Sequence, residues 1–221
     1  VQLGSPSEPT TKALRKYLRK FLGDPRVVDI NPWLWKIILN FFVLPFRPQK
    51  SAKLYARIWD GENFPLITNT RDFTKNVSKE LNKLDPEGYV EVNHAFLLSP
   101  PYVNEVYDSW EEDLKKGIGA TKLLVIPMFP QYSESTIASG IDALAKELSK
   151  RVKIPTFEVI TNFHRTHAFI DNSVNQVDSK LNELIKVGKK IDSLVITFHG
   201  MQKRRIVNKG DDYYRHCYET F

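Results

Sequence analysis

A chain of 221 residues with 42% apolar and 26% charged side chains can bury a sizeable core, and this composition excludes a disordered or fibrous protein. Its net charge of +6 suits an anionic ligand, an anionic membrane surface or nucleic acid, or simply a solvated basic surface. The single cysteine, Cys217, excludes an internal disulfide and predicts a reducing, cytoplasmic setting, and no arginine-led apolar leader precedes the first helix.

Val1 to Leu3 read as the end of a strand. Leu14, Tyr17, Leu18, Phe21 and Leu22 then recur at helical spacing, with Lys12, Arg15, Lys16, Arg19 and Lys20 on the other face and Gly23 as the stop. Trp33 to Arg47 crowds Trp33, Trp35, Ile37, Ile38, Leu39, Phe41, Phe42, Val43, Leu44 and Phe46 into one segment. The segment is too short to span a bilayer, so it is either a buried helix or an exposed apolar lip touching a flat ligand or a membrane surface.

A helix is predicted near Phe73, Val77, Leu81 and Leu84, a strand around Tyr89 to Leu98, and a helix through Val103, Val106, Trp110 and Leu114. Lys122 to Met128 has strand length and is followed by a helical stripe of Ile137, Ile141, Leu144 and Leu148. Phe157 to Thr161 and Leu194 to Phe198 look like two further strands, separated by a long helix through Phe169, Ile170, Val174, Val177, Leu181 and Leu184. This alternation predicts an α/β fold with a mostly parallel sheet covered on both faces. Ligands of such sheets sit beyond the carboxyl ends of the strands.

Two places there could carry chemistry. Ser133, Ser135 and Thr136 fall between a strand and a helix, where hydroxyls either cap the helix or help to hold an anion. His199 follows an apolar strand, and histidine is the side chain whose ordinary pKa, about 6.5, lets it take a proton or a metal near neutral pH. Taken alone, one histidine is more often a hydrogen-bonded structural residue, because one imidazole does not make a metal site. His94, His164, His167 and His216 show no ligand spacing with it. No glycine-rich nucleotide fingerprint, paired-cysteine zinc signature or serine–histidine–acid set stands out.

Short segments in order along the chain resemble the ferrochelatase family. Gln2-Leu3-Gly4-Ser5-Pro6 resembles the opening NLGTP, and Phe21-Leu22-Gly23-Asp24-Pro25-Arg26-Val27-Val28-Asp29 is a close family match. Arg47-Pro48-Gln49-Lys50-Ser51-Ala52, with Tyr55 and Ile58-Trp59 after it, resembles RPKKSA and the tyrosine that follows. Phe129-Pro130-Gln131-Tyr132-Ser133 resembles YPQYS, and Phe198-His199-Gly200 resembles SFHG, which carries the family's active-site histidine. Gly210-Asp211 and Cys217 complete the order.

The resemblance implies two similar Rossmann-like domains, with parallel sheets flanked by helices and a porphyrin cleft between them. Residues 1–150 would form the first, with the apolar lip at 31–47, and residues 151–221 would begin the second, incomplete here. The family's C-terminal third, with the acidic partner of the histidine, would lie beyond the chain. The implied reaction inserts ferrous iron, as substrate, into protoporphyrin IX to give haem, with no organic cofactor. His199 would accept pyrrole protons or hold the iron, and Arg47 would pair with a porphyrin propionate. Leu3, Tyr55, Phe129, Pro130, Gln131, Tyr132 and Ser133 would line the site. The segment from Trp33 to Phe46 would be the lip, adding a peripheral membrane contact to a cytoplasmic protein.

Several positions depart from the family pattern. Leu97 and Leu98 stand where an arginine and a tyrosine are common, Phe129 replaces a tyrosine, and a glycine-serine-proline segment reads Asn63-Phe64-Pro65. Gln202 and Asp212 replace prolines. Leu3 stands where some coproporphyrin-using members have tyrosine, which favours protoporphyrin. The lost polar groups keep a non-catalytic porphyrin- or haem-binding protein open as an alternative, followed by a chelatase for another metal or tetrapyrrole. Nucleic acid fits least, because the basic residues lie on outer helix faces without interleaved exposed aromatics.

Overall fold

The hydroxyl of Thr10 accepts the N–H of Ala13, which starts helix α1 (Thr11–Leu22). The computed structural model describes residues 1–85, 87–118 and 120–221. Contacts divide them into two units, Val1–Met128 with Glu134–Val159, and Phe129–Ser133 with Ile160–Phe221.

In the first unit, Leu18 and Leu22 of α1 bury against Leu39 and Leu44, with Trp35, Val43 and Val28 around them. The Trp35 indole satisfies its N–H on the Leu22 carbonyl at 2.6 Å. The aromatic segment is thus helical, as α2 (Pro32–Ile38) and a π-helical turn (Leu39–Val43), but only its inner side is core. Trp33, Phe41, Phe42 and Phe46 are each at least 67% exposed, so the segment is a lip as well as a helix. Then follow α3 (Arg47–Tyr55) and α4 (Pro65–Leu84). No helix among the described residues is long and apolar enough to cross a membrane.

A second core joins α5 (Val103–Lys115) to α6 (Ser139–Leu148) through Tyr107, Leu144 and Leu148. Beneath them β1 (Lys122–Val125) pairs in parallel with β2 (Thr156–Val159), Lys122 opposite Thr156 and Val125 opposite Val159. This is the parallel α/β arrangement that the alternation predicts. Arg151 sits over the Tyr107 ring and pairs with Asp108 and Glu111, tying the end of α6 to α5.

Val1 to Leu3, read from the sequence as the end of a strand, form an isolated parallel bridge, Gln2 with Phe96, outside that two-stranded sheet. Gln2 N–H donates to the Ala95 carbonyl, Leu97 N–H to that of Gln2, and Met128 N–H to that of Val1. The strand expected over Tyr89 to Leu98 is shorter, because only Phe96 forms a bridge. Tyr89 and Val90 are exposed, so no apolar face holds that stretch against a sheet. Gly4 adopts φ +90°, and a Cβ there would lie 2.2 Å from Ser99 Oγ and 3.0 Å from Phe96 Cβ. Only glycine fits such a close crossing.

The second unit contains α7 (His167–Lys186), α8 (Lys203–Lys209) and α9 (Tyr213–Thr220). Gly210, at φ +68°, ends α8, and the Asp211 carboxylate accepts the Tyr213 N–H at 2.9 Å where α9 begins. Leu194 to Phe198, expected as a strand, has no strand pairing among the described residues, and Leu194, Val195 and Ile196 are exposed. An apolar run becomes a strand only where a neighbour takes its backbone bonds.

Candidate functional site

His199 directly follows that apolar run. Its backbone N–H donates to the Tyr213 hydroxyl at 3.0 Å, which fixes the chain where the imidazole emerges. Phe198, His199, Met201, Tyr213, Cys217 and Tyr218 line a cavity of about 330 Å³. The wall is mostly aromatic and aliphatic, and the His199 imidazole and the hydroxyls of the exposed Tyr214 and Tyr218 are polar groups on it. Burial, and then the hydrogen bond to Cys217, push the Tyr213 phenol up to about 12, so it stays protonated at neutral pH. Burial likewise raises the Cys217 thiol, which therefore behaves as a packing group rather than a nucleophile.

The same helix holds the segment from Phe129 to Ser133. The Tyr132 N–H donates to Nδ1 of His216 at 3.0 Å, and the Gln131 amide donates to the Thr220 hydroxyl at 3.0 Å. Pro130 offers its carbonyl to the Phe163 N–H at 3.0 Å. Phe129, Pro130, Gln131 and Tyr132 are half-buried and Ser133 is buried. Thus α9 anchors His199 through Tyr213 and the loop through His216 and Thr220.

The helix after the loop starts with the π-helical turn Glu134–Ala138, and Glu134 puts a carboxylate in its first turn. That charge already meets the positive end of the helix dipole, which disfavours a bound anion beside Ser135 and Thr136. In the first unit, Asp24 and Arg26 hold this helix. The Arg26 guanidinium grips Asp142 with two bonds, at 2.7 and 3.1 Å, and lies 3.6 Å from Glu134. The Ser139 hydroxyl donates to Asp24.

Leu3, Arg47 and Tyr55 belong to the first unit. Leu3 is half-buried, and its carbonyl accepts the Leu98 N–H at 2.9 Å. Tyr55 packs against Tyr17 at 6.2 Å between ring centres and edge-on to Phe64 at 5.4 Å. Burial first, and then Tyr55, raise the Tyr17 phenol, whose hydroxyl lies 3.4 Å from the Gly4 carbonyl. Arg47 is exposed at the first position of α3 and makes no ion pair among the described residues, so its forked donor set is open to a carboxylate.

Sequence reasoning missed Tyr213, His216 and Thr220. Tyr213 had a signal, standing next to the Gly210-Asp211 pair. His216 had none, because the amide that it receives lies 84 residues away along the chain.

The ferrochelatase family model matches residues 1–221. The chain is 38% identical over 220 residues to the ferrochelatase of Idiomarina loihiensis, covering all of this chain and 57% of that relative. It is 36% identical to the coproporphyrin III ferrochelatase of Streptococcus mutans, covering 64% of it. It is also 33% identical over 223 residues to the ferrochelatase of Francisella tularensis subsp. tularensis, covering 62% of it. The chain therefore spans less than two thirds of each relative's length.

Proposed function

The chain belongs to the ferrochelatase family, and on that premise we propose that the protein inserts ferrous iron into a porphyrin to make haem. The observation that carries the reading is His199, an imidazole in an aromatic and aliphatic cavity within a chain matched throughout by the family model. Metallation exchanges two pyrrole protons for Fe²⁺ with no change of oxidation state. It needs a base at the macrocycle, walls that hold a flat apolar ring and a cation for its carboxylates.

His199 supplies the base and the first contact for iron, since neutral imidazole accepts either a proton or a divalent cation. Phe198, Met201 and Tyr218 supply apolar wall. The Phe129 to Ser133 loop, Leu3 and Tyr55 line the porphyrin, and Arg47 pairs with a propionate. The exposed lip around Trp33, Phe41, Phe42 and Phe46 touches the porphyrin and a membrane surface at the cytoplasmic side. The porphyrin is protoporphyrin IX in this reading, a choice that rests on Leu3, although one relative's name specifies coproporphyrin III.

The test adds ferrous iron anaerobically to the full-length protein with protoporphyrin IX, and in parallel with coproporphyrin III, and follows the haem absorption bands. Turnover of protoporphyrin IX is the expected result. Faster turnover of coproporphyrin III would correct the substrate. A tight porphyrin complex without metallation would overturn the enzymatic reading in favour of a porphyrin-binding protein, for which the leucines at 97 and 98 and the phenylalanine at 129 are the reason to keep the comparison.

A further inference from the structure

The second unit contains a polar network that metallation does not use. His216 is 4% exposed and His164 3% exposed, and their rings stack with centres 3.9 Å apart. His164 Nε2 lies 2.8 Å from a Glu219 oxygen, and the other oxygen of Glu219 lies 3.1 Å from Arg215. The network ends on the loop through the bond from the Tyr132 N–H to His216 Nδ1 at 3.0 Å. Thr220 donates its hydroxyl proton to the His216 carbonyl at 2.7 Å, which leaves its oxygen to receive the Gln131 amide.

That arrangement fixes a protonation state. An amide N–H can donate to Nδ1 only if that nitrogen carries a lone pair, so His216 must be neutral with its proton on Nε2, and the Arg215 guanidinium 3.3 Å from Nε2 is then a charged neighbour rather than a donor to it. A second proton would set two N–H groups facing each other. We propose that His216 is a positioning residue that latches the Tyr132 backbone onto α9 while neutral and gives up that bond on protonation, loosening a loop that the Gln131 and Pro130 bonds still tether and making capture of the porphyrin sensitive to acid. The functional part rests on the porphyrin reading of that loop, whereas the latch itself does not.

The surrounding charges set the direction. Burial comes first in lowering the His216 pKa, followed by His164 from the turn before α7 and Arg215, while Asp212 and Glu219 raise it in part. Arg165 acts on Glu219, whose carboxyl is lowered mainly by its hydrogen bond to His164. His216 is therefore neutral at pH 7, and the latch opens only as the pH falls below the ordinary histidine range. The ligand atoms of His164, His216 and Glu219 lie within 4.8 Å of one another, and His164 Nδ1 is buried without a hydrogen-bond partner among the described residues. Those features alone would suit a divalent cation. However, the His216 acceptor is committed to Tyr132, Glu219 is shared with His164, and the Arg215 guanidinium stands 3.3 Å from His216 Nε2.

The experiment measures the protection factor of the Tyr132 amide by hydrogen exchange in the full-length protein, together with protoporphyrin IX affinity by fluorescence quenching, from pH 7.5 to 5. Wild type should lose both protection and affinity on acidification. His216→Ala should lose protection at every pH and bind porphyrin about 3- to 10-fold more weakly, the range for one lost hydrogen bond. His216→Asn, whose amide oxygen replaces Nδ1 and does not titrate, should keep both and lose the pH dependence; it also serves if the alanine variant does not fold. Unchanged Tyr132 protection in the alanine variant, or Zn²⁺ binding that His164→Ala abolishes, would overturn the latch. A Tyr132 amide that responds as expected while porphyrin affinity stays constant would keep the latch and overturn the porphyrin reading of the loop.

Discussion

The segments around Arg26 and His199 both resemble the family's motifs but are held in opposite ways. Arg26 spends its guanidinium on Asp142 and Glu134, and Asp24 takes the Ser139 hydroxyl and the Arg26 N–H. His199 is fixed through one backbone bond to Tyr213, and its exposed imidazole makes no hydrogen bond among the described residues. The Arg26 segment consumes its polar groups within the fold, while the His199 segment leaves a side chain over, as the proposed chemistry requires. Arg47 shares that feature, being exposed and without an ion pair among the described residues.

Substitution is the way to break that distinction, and the largest effect is expected at His199. His199→Ala should lower the metallation rate by roughly 10²- to 10⁴-fold, the contribution of a positioned acid or base. Its circular dichroism melt should match wild type; a loss of activity that follows unfolding would assign His199 to architecture. Gly4→Ala tests the other class, since a methyl at φ +90° meets Ser99 and Phe96. Strain and overpacking together should cost about 2–4 kcal/mol in denaturant unfolding.

Next comes Arg47→Ala, which should weaken porphyrin binding by about 1.5–3 kcal/mol, the range for a hydrogen bond to a charged group. The propionate diester should be indifferent to it, and equal loss for acid and ester would remove Arg47 from the site. The smallest effect is expected at Arg26, because its pairs with Asp142 and Glu134 are partly solvated. Arg26→Ala should cost about 0.5–1 kcal/mol of stability, and less at high salt. A change in turnover larger than the change in stability would move Arg26 into the chemical class.

The long helices were legible because their faces are amphipathic. Leu14 to Leu22, Phe73 to Leu84 and Phe169 to Leu184 carry the helical period over several turns, and α1, α4 and α7 lie where it predicts. The helices α3, α8 and α9, at nine, seven and eight residues, are too short to show one. The Leu194 to Phe198 run shows the converse error, since apolar content is a property of residues and strand pairing is a property of neighbours.

The sequence by itself determined the class of the fold, the family, and the identity of His199, Arg47 and the Phe129 to Ser133 loop as candidates. The class follows from side-chain periodicity and His199 from its chemistry after an apolar run, while the family, Arg47 and the loop follow from motif resemblance; all of these are local properties that the chain carries wherever it goes. Only the tertiary structure decided that the Trp33 to Phe46 segment is core on one side and exposed on the other, and that Gly4 must lack a side chain. It also decided that His216 receives the Tyr132 amide. The physical reason is common to all three. Burial, close approach and hydrogen bonding are relations between groups far apart in the chain, and no local pattern records a partner that folding alone brings within reach.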